Sequence, residues 1–548
     1  MEIKDTTTFQ VLPRRQVIIA MVGTMLSMFQ SALYMTVVAT AMPRVITDLG
    51  GFSQYTWVFT AFIMAEVIAI PLSGKLSDMY GRKRLFIAGL VIAVISSFLS
   101  GISQTMSQLI IFRGIQGLGF GINMSLSLIV IGDIFPPAER GKWGGLMSAV
   151  MVLSTIIGPT LGGYLTDYLS WRWCFFINVP FGLIIILLFV FYFPHLKASS
   201  ARHKVDYAGA VVMAMAILPL MLALTWGGVN YDWLSPTILG LLVFSLVMFA
   251  LFIIIENRAR EPILSFGLFK HRVVAVSSIT VFLTGLSFMP AVTFIPLFYQ
   301  GVLGASATVS GSFMVPMMLT SSVASFIAGQ IISRTGGYYR LQATIGIILV
   351  AIGFFLLSRM TANTSFNTVL INIIFIGLGS GLIMPIHMLA VQNSVPYAVM
   401  GTTTSMVTWI RTIGGLFGLS LVGSVINNRF SSEFMGRLST EIKSVVSPEK
   451  IASIVNNPQA LVDADARIQL QGLFDGLGAQ GPVLFEQMLL TLKNALSSAL
   501  TGVFAVVAGL TILALIANLF LTGIPKHKSM KKIDIRGENP PGAEPPPG

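Results

Sequence analysis

The 548-residue chain contains a single cysteine, Cys174, so neither an internal disulfide framework nor a cysteine-rich metal site can be built from it. Cys174 reads as a packing residue. Charge is scarce too: Asp, Glu, Lys and Arg make up 10% of the residues, against about 25% in a soluble globular domain. With 54% hydrophobic residues, the composition is that of a polytopic membrane protein. The chain also lacks the HExxH pair of zinc hydrolases, the GxSxG elbow of serine hydrolases and a phosphate-binding P-loop. These absences argue against an enzyme and against direct ATP drive, and no catalytic residue, cofactor or metal is expected.

The charge that is present has a sign and a distribution. The net charge of +12 falls in short basic groups between apolar runs, which suits a membrane surface and not nucleic acid. Apolar runs of spanning length lie near 17–40, 56–74, 85–103, 108–131, 143–164, 173–193, 207–226, 235–255, 273–299, 309–332, 341–358, 367–391, 401–427 and 495–523. The first run is too long for a signal-peptide core. Lys75, Arg82, Lys83, Arg84, Arg140, Lys142, Lys197, Arg258, Lys270 and Arg334 fall on one side, together with Arg14, Arg15 and the basic tail. The short opposite loops hold only Arg44, Arg172 and Arg359. Both termini are therefore expected in the cytoplasm. Residues 428–494 are polar, fall on the outer side and have room for short helices; the tail ending ENPPGAEPPPG is expected to be disordered.

An internal repeat accompanies the spans. GLGFG at 117–121 returns as GLGSG at 377–381, an offset that also carries Pro136 to Pro396 and Gly141 to Gly401. A second match aligns Gly74, Asp78 and Gly81 with Gly329, Ser333 and Gly336. Corresponding loops and helices in two halves point to parallel repeats of a transporter.

Four stretches carry chemistry. In AFIMAEVIAIPLSGK, 61–75, Glu66 is the sole ionisable residue between Trp57 and Ser73. At about 1.5 Å per residue it lies about 12 Å from Gly74, near the middle of a hydrocarbon layer of about 30 Å. An acid there costs about 2.5–3.5 kcal/mol on insertion scales and so asks for a function. Phe62 and Phe59 lie one and two turns away on roughly the same face, a setting for an apolar cation. A structural hydrogen bond is the plainer alternative. GKLSDMYGRKR, 74–84, combines turn-permitting Gly74 and Gly81 with the charges of Asp78, Arg82 and Lys83, a network able to latch one conformation. RGIQGLGFG places Arg113 inside the membrane ahead of a glycine ladder. GPTLGG, with Gly158, Pro159, Gly162 and Gly163, permits bending and close packing where halves meet.

These motifs, with SWRWCFFINVPFG at 170–182, resemble the major facilitator superfamily, and specifically its fourteen-span drug:proton antiporter family, over essentially the whole chain. GKLSDMYGRKR resembles the superfamily's loop signature, RGIQGLGFG its proton-linked arginine signature and GPTLGG its antiporter signature. The resemblance implies an all-α fold of two six-helix bundles around a central cavity, with two additional central helices, working by alternating access. On this division residues 1–16 precede the first bundle (17–193). A region with the two added helices (194–271) follows, then the second bundle (272–523, including 428–494) and a tail (524–548). One departure stands out: the first-span acid of the family is replaced by Tyr34 in ALYMTVVATAMP, so its role does not carry over and Glu66 is the leading substitute. Arg411, in WIRTIGG, resembles a basic residue that precedes paired glycines in the family and serves packing or coupling. His387 is either a proton relay or a hydrogen-bonded structural histidine.

The expected function is export of amphipathic, cationic compounds in exchange for protons, across a cell's inner (cytoplasmic) membrane. Coupling is assigned to Glu66, Arg113 and His387, and substrate contact to Tyr34, Phe59, Phe62 and Glu66. A permease for one metabolite and a non-transporting membrane sensor are the rivals, and an oligomer or accessory protein is left open.

Overall fold

The computed structural model describes residues 13–49, 55–135, 137–194, 206–228, 231–259, 262–264, 266–305, 307–335, 337–447, 451, 464–472, 474 and 480–521. Pro136, Gly336, the first twelve residues and the tail from 522, all invoked above, lie outside them. Among the described residues, fourteen helices are long and apolar enough to cross a membrane. They are α1 (Arg14–Leu49), α2 (Tyr55–Tyr80), α3 (Arg82–Gly101), α4 (Met106–Ile134), α5 (Pro137–Tyr168), α6 (Asn178–Tyr192, spanning together with the short helix Trp173–Phe176 before it), α7 (Tyr207–Trp226), α8 (Pro236–Arg258), α9 (Arg272–Leu297), α10 (Ala307–Thr335), α11 (Tyr339–Ser358), α12 (Phe366–Gln392), α13 (Tyr397–Arg437) and α14 (Gly481–Leu519). Backbone groups in hydrocarbon have no water to bond, so an apolar run of this length satisfies them internally as a helix. Side-chain caps fix several starts: Thr105 for α4, Asp206 for α7, Ser235 for α8 and Ser365 for α12 each accept a hydrogen bond from the first turn.

The helices α1 to α6 pack on one another, as do α9 to α14. The two sets meet along α2 with α13 and α5 with α10. The hairpin of α7 and α8 lies against this seam, touching both α2 and α13. The Trp226 ring of α7 meets Trp57 of α2 at 5.9 Å, and Ser420 of α13 donates to the Leu224 carbonyl at 2.6 Å. The repeat seen in the sequence is built into the packing. On α4, Gly117 and Gly121 let the helix approach the backbone of α2 at Phe62 and Glu66; on α12, Gly377 and Gly381 do the same against Met317 and Ser321 of α10. A side chain at any of these four would run into a carbonyl oxygen of the facing helix, so glycine is required by contact and not by dihedral angle.

Two expectations change. Residues 74–80, expected as a loop, are the last two turns of α2; Gly81, with φ 89°, alone makes the turn into α3. That dihedral is open to glycine and costly for other residues. The polar segment 428–494 does hold short helices, Thr440–Val445 and Ala464–Gly472, but it is also in part an extension of two membrane helices, since α13 runs on to Arg437 and α14 starts at Gly481. Its apolar residues recur at helical spacing. Phe430, Phe434, Leu438 and Ile442 pack with Phe474, Leu484, Phe485, Met488 and Leu492 in one buried cluster, which hydrophobic burial holds together outside the apolar span.

Candidate functional site: charged groups in and below the seam

Arg113 is fully buried on α4. Its Nε donates to the Val58 carbonyl of α2 at 3.2 Å, and its Nη1 to Gln116 Oε1 at 2.9 Å. Gln116 in turn donates to Ser97 Oγ of α3 at 2.5 Å. The guanidinium lies over the ring of Phe62 at 4.3 Å and that of Tyr34 at 5.2 Å, so aromatic faces and fixed dipoles replace its water. Tyr34 stacks on Phe120 at 5.3 Å and meets Phe175 edge-on at 6.0 Å. Tyr34 and Phe62 are thus walls around the arginine, both buried in this conformation, while Phe59 is half-buried.

Glu66 lies one turn beyond Phe62 and keeps part of its surface accessible. It is within electrostatic reach of Arg113, from its own half, and of Arg411, from α13 of the other half. Arg411 is likewise partly accessible, and its Nε has no hydrogen-bond partner among the described residues. Gly414 and Gly418, just beyond it, seat α13 on the Phe282 and Leu286 carbonyls of α9, which fixes where the arginine emerges. The seam therefore brings one carboxylate within electrostatic reach of two guanidiniums that belong to different halves. Ser321, the residue of α10 opposite Gly381, stands where Glu66 stands opposite Gly121. The acid exists in one repeat only.

A second group of charges closes the end of the seam that carries the basic loops. Arg82 bonds Asp78 at 2.6 Å and Asp133 at 2.7 Å and donates to Ser77 Oγ. Asp78 Oδ2 accepts from the N–H of Thr402 at 3.2 Å and from its hydroxyl at 2.9 Å. Thr402 is near the start of α13, and Gly74 lies against Gly401 and Ser405 of the same helix. Arg140 of α5 reaches Asn393 Oδ1 at 2.7 Å and the Gln392 carbonyl at 3.4 Å. Its other nitrogens donate to the Gly132 and Phe135 carbonyls at 2.8 and 3.0 Å. Lys83 stands apart, donating to the Val190 carbonyl of α6 at 2.9 Å.

Three further expectations are placed differently. His387 is fully buried with Nδ1 3.2 Å from Ser277 Oγ of α9, and its Nε2 has no partner; it is not brought together with Glu66 and Arg113. Gly158 and Gly162 of the GPTLGG stretch face Thr36, Val37 and Thr40 of α1, inside the first half, and a Cβ at Gly163 would meet open space. The expectation that this stretch lies where the halves meet is corrected: Gly145, four turns earlier, makes that contact with Phe326 of α10. Pro159 lies within the unbroken helix α5. Asp133, Gln116, Arg140 and Thr402 were not singled out from the sequence. Asp133 and Gln116 carried a weak signal, being polar groups inside an apolar run, whereas nothing local marks Thr402 as the partner of an acid on another helix.

The model of the family described as Major Facilitator Superfamily matches residues 22–419. Multidrug transporter protein MdtP of Bacillus subtilis is 37% identical over 518 residues, covering 94% of each chain. Multidrug resistance protein 3 of the same organism is 37% identical over 517 residues, 94% of this chain and 97% of that one. Among solved structures, the human organic anion transporter MFSD10 superposes with a TM-score of 0.60 at 14% identity, over 92% of this chain and 100% of the other. The proton:xylose symporter XylE gives 0.54 at 12% identity, over 92% and 94%. At such identities these two likenesses concern the fold alone.

Proposed function

The chain belongs to the major facilitator superfamily, and from that premise we propose that this multi-pass membrane transporter is a proton-coupled antiporter exporting amphipathic compounds. The names of its bacterial relatives, a multidrug transporter and a multidrug resistance protein, support export of several compounds. The basic face is assigned to the cytoplasm with both termini, in a cell's inner membrane, because lysine and arginine accumulate there. The moving bodies are the bundles 17–193 and 272–523, with the hairpin of 194–271 at their seam.

What carries the reading is Glu66, a carboxylate inside an apolar helix, within electrostatic reach of Arg113 of its own half and Arg411 of the other. A carboxylate that can take up either a proton or a cationic group makes the two compete for one site, the minimum requirement for exchange. Arg411 arrives from the opposite bundle, so its pull on Glu66 depends on how the halves sit. Proton binding and the rocking motion are then linked by one free energy. Asp78–Thr402 and Arg140–Asn393 hold the cytoplasmic end closed in this state, and a rocking transporter needs them to break when the cavity opens inward. His387 has no place in this scheme, because its neighbour is a serine.

The test is efflux of a fluorescent lipophilic cation, with neutral and anionic amphiphiles alongside, from vesicles with an imposed pH gradient. Gradient-driven export is expected for wild type and its loss for Glu66→Gln at equal expression. Undiminished gradient-driven export by Glu66→Gln removes the coupling role, and a wild type that moves none of the probes removes the export reading.

A further inference from the structure

A second pair of acids lies away from the central site, at the basic-face end of the α7–α8 hairpin. Asp206 caps α7: its Oδ1 accepts from the Gly209 N–H at 2.8 Å. Glu256, in the last turn of α8, is 3% exposed, and its Oε2 accepts from the Leu264 N–H at 3.4 Å. Each carboxyl therefore has one oxygen in use. The other two, Asp206 Oδ2 and Glu256 Oε1, have no hydrogen-bond partner among the described residues. Both converge on the space left by the missing side chain of Gly209, where a Cβ would lie 2.6 Å from the first and 3.0 Å from the second.

Two idle carboxylate oxygens beside one small space repel if both groups are ionised, and a proton shared across that space turns the repulsion into a charge-assisted O–H···O⁻ bond. Among the described residues, the groups that face Glu256 are few in kind. Asp206 faces it from α7, Lys75 from α2, and the backbone N–H groups of Ile263 and Leu264 from the segment after α8. The next turn contributes the ring of Phe266, 6.1 Å from Phe252 on α8. Helix α13 meets α7 at its other end, through Ser420 and Leu224. Lys75 is near enough to be felt electrostatically but is not hydrogen-bonded to either idle oxygen.

We propose that Asp206 and Glu256 form a second proton-binding site, outside the central cavity, in which one proton is shared between Asp206 Oδ2 and Glu256 Oε1. The pair joins the start of α7 to the end of α8 and adjoins α2 at Lys75, one turn before the latch residue Asp78. Loss of the shared proton places two like charges at the root of the hairpin and weakens its seat beside the gate, so the site senses pH on the basic face. It stands independently of what the transporter carries.

The test is infrared difference spectroscopy of the purified full-length protein in lipid nanodiscs, titrated with protons from about pH 4 to about pH 9, a range spanning perturbed carboxyls. A carboxylic-acid C=O band is expected that persists in Glu66→Gln and disappears in Glu256→Gln. In Asp206→Asn its midpoint should move by about one pH unit or more, since removing a like charge at this distance changes proton affinity about tenfold. Gly209→Ala keeps both carboxyls but fills the pocket between them, and it should move the midpoint too, which keeps the question decidable if Glu256→Gln does not fold. A band that is absent, that vanishes with Glu66→Gln, or that keeps its midpoint in both Asp206→Asn and Gly209→Ala overturns the proposal.

Discussion

Asp78 of α2 accepts two hydrogen bonds from Thr402 of α13, 3.2 Å from its N–H and 2.9 Å from its hydroxyl, and so ties the two halves together on the basic face. The acceptor is oriented by Arg82, whose guanidinium is shared with Asp133. Hydrogen bonds to a charged group contribute about 1.5–3 kcal/mol each, comparable to the few kcal/mol that separate conformations of a working switch.

Asp78→Ala is therefore expected to shift the population toward the state open on the basic face by about tenfold or more. Distances between spin labels on the basic-face ends of α2 and α13 would report it as a longer component. Thr402→Val removes the hydroxyl but leaves the backbone donor, so its shift should be smaller. Unchanged distances in Asp78→Ala would rule out the latch.

The α2–α4 contact predicts a contrast between two glycines. At Gly117 a Cβ would meet the Phe62 carbonyl, while at Gly163 it would meet nothing. Gly117→Ala forces the helices apart and should lower stability by about 1–3 kcal/mol, the usual range for overpacking. Gly163→Ala adds helix propensity in open space and should leave stability equal or up to about 1 kcal/mol higher. Thermal unfolding of the two variants in the same detergent decides it, and equal losses would count against the close approach.

Arg113 is held by geometry that lysine cannot reproduce: donors to Val58 and Gln116 from different nitrogens, and a planar face over Phe62. Arg113→Lys keeps the charge and loses the fork and the stacking. Gradient-driven efflux should fall about tenfold or more, from at least one lost charge-assisted bond, with expression unchanged. Near-normal efflux would mean that charge alone suffices.

Arg172 offers a purely structural test on the opposite face. Its Nη1 donates to the carbonyls of Gly101 at 2.9 Å and Ser103 at 2.6 Å, its guanidinium covers Trp171 at 4.3 Å, and Trp171 donates to Asp48 at 2.7 Å. Arg172→Ala leaves the end of α3 without these partners and should cost about 1.5–3 kcal/mol. The transport rate per folded molecule should stay the same. A changed rate at unchanged stability would assign Arg172 to transport instead.

Much of this protein is decided locally. An apolar run longer than the bilayer is thick has one way to satisfy its backbone, so fourteen helices follow from fourteen runs without knowledge of their neighbours. The glycines of 117–121 and 377–381 likewise announce close helix crossings, because small residues are what such crossings need. Glu66 and Arg113 announce themselves by cost alone. Pairing is another matter. That Arg411 comes within electrostatic reach of Glu66, that Asp78 finds Thr402, and that GPTLGG turns toward α1, each depends on where a helix distant in the sequence comes to lie. The phase of a helix decides which face meets which neighbour, and a helix apolar all round carries little record of its phase. The packing of 428–494 was hidden for a related reason: its apolar residues are spaced for burial against one another outside the apolar span, and only the joint burial of Phe434, Ile442, Phe485 and Met488 in one cluster makes that spacing a core.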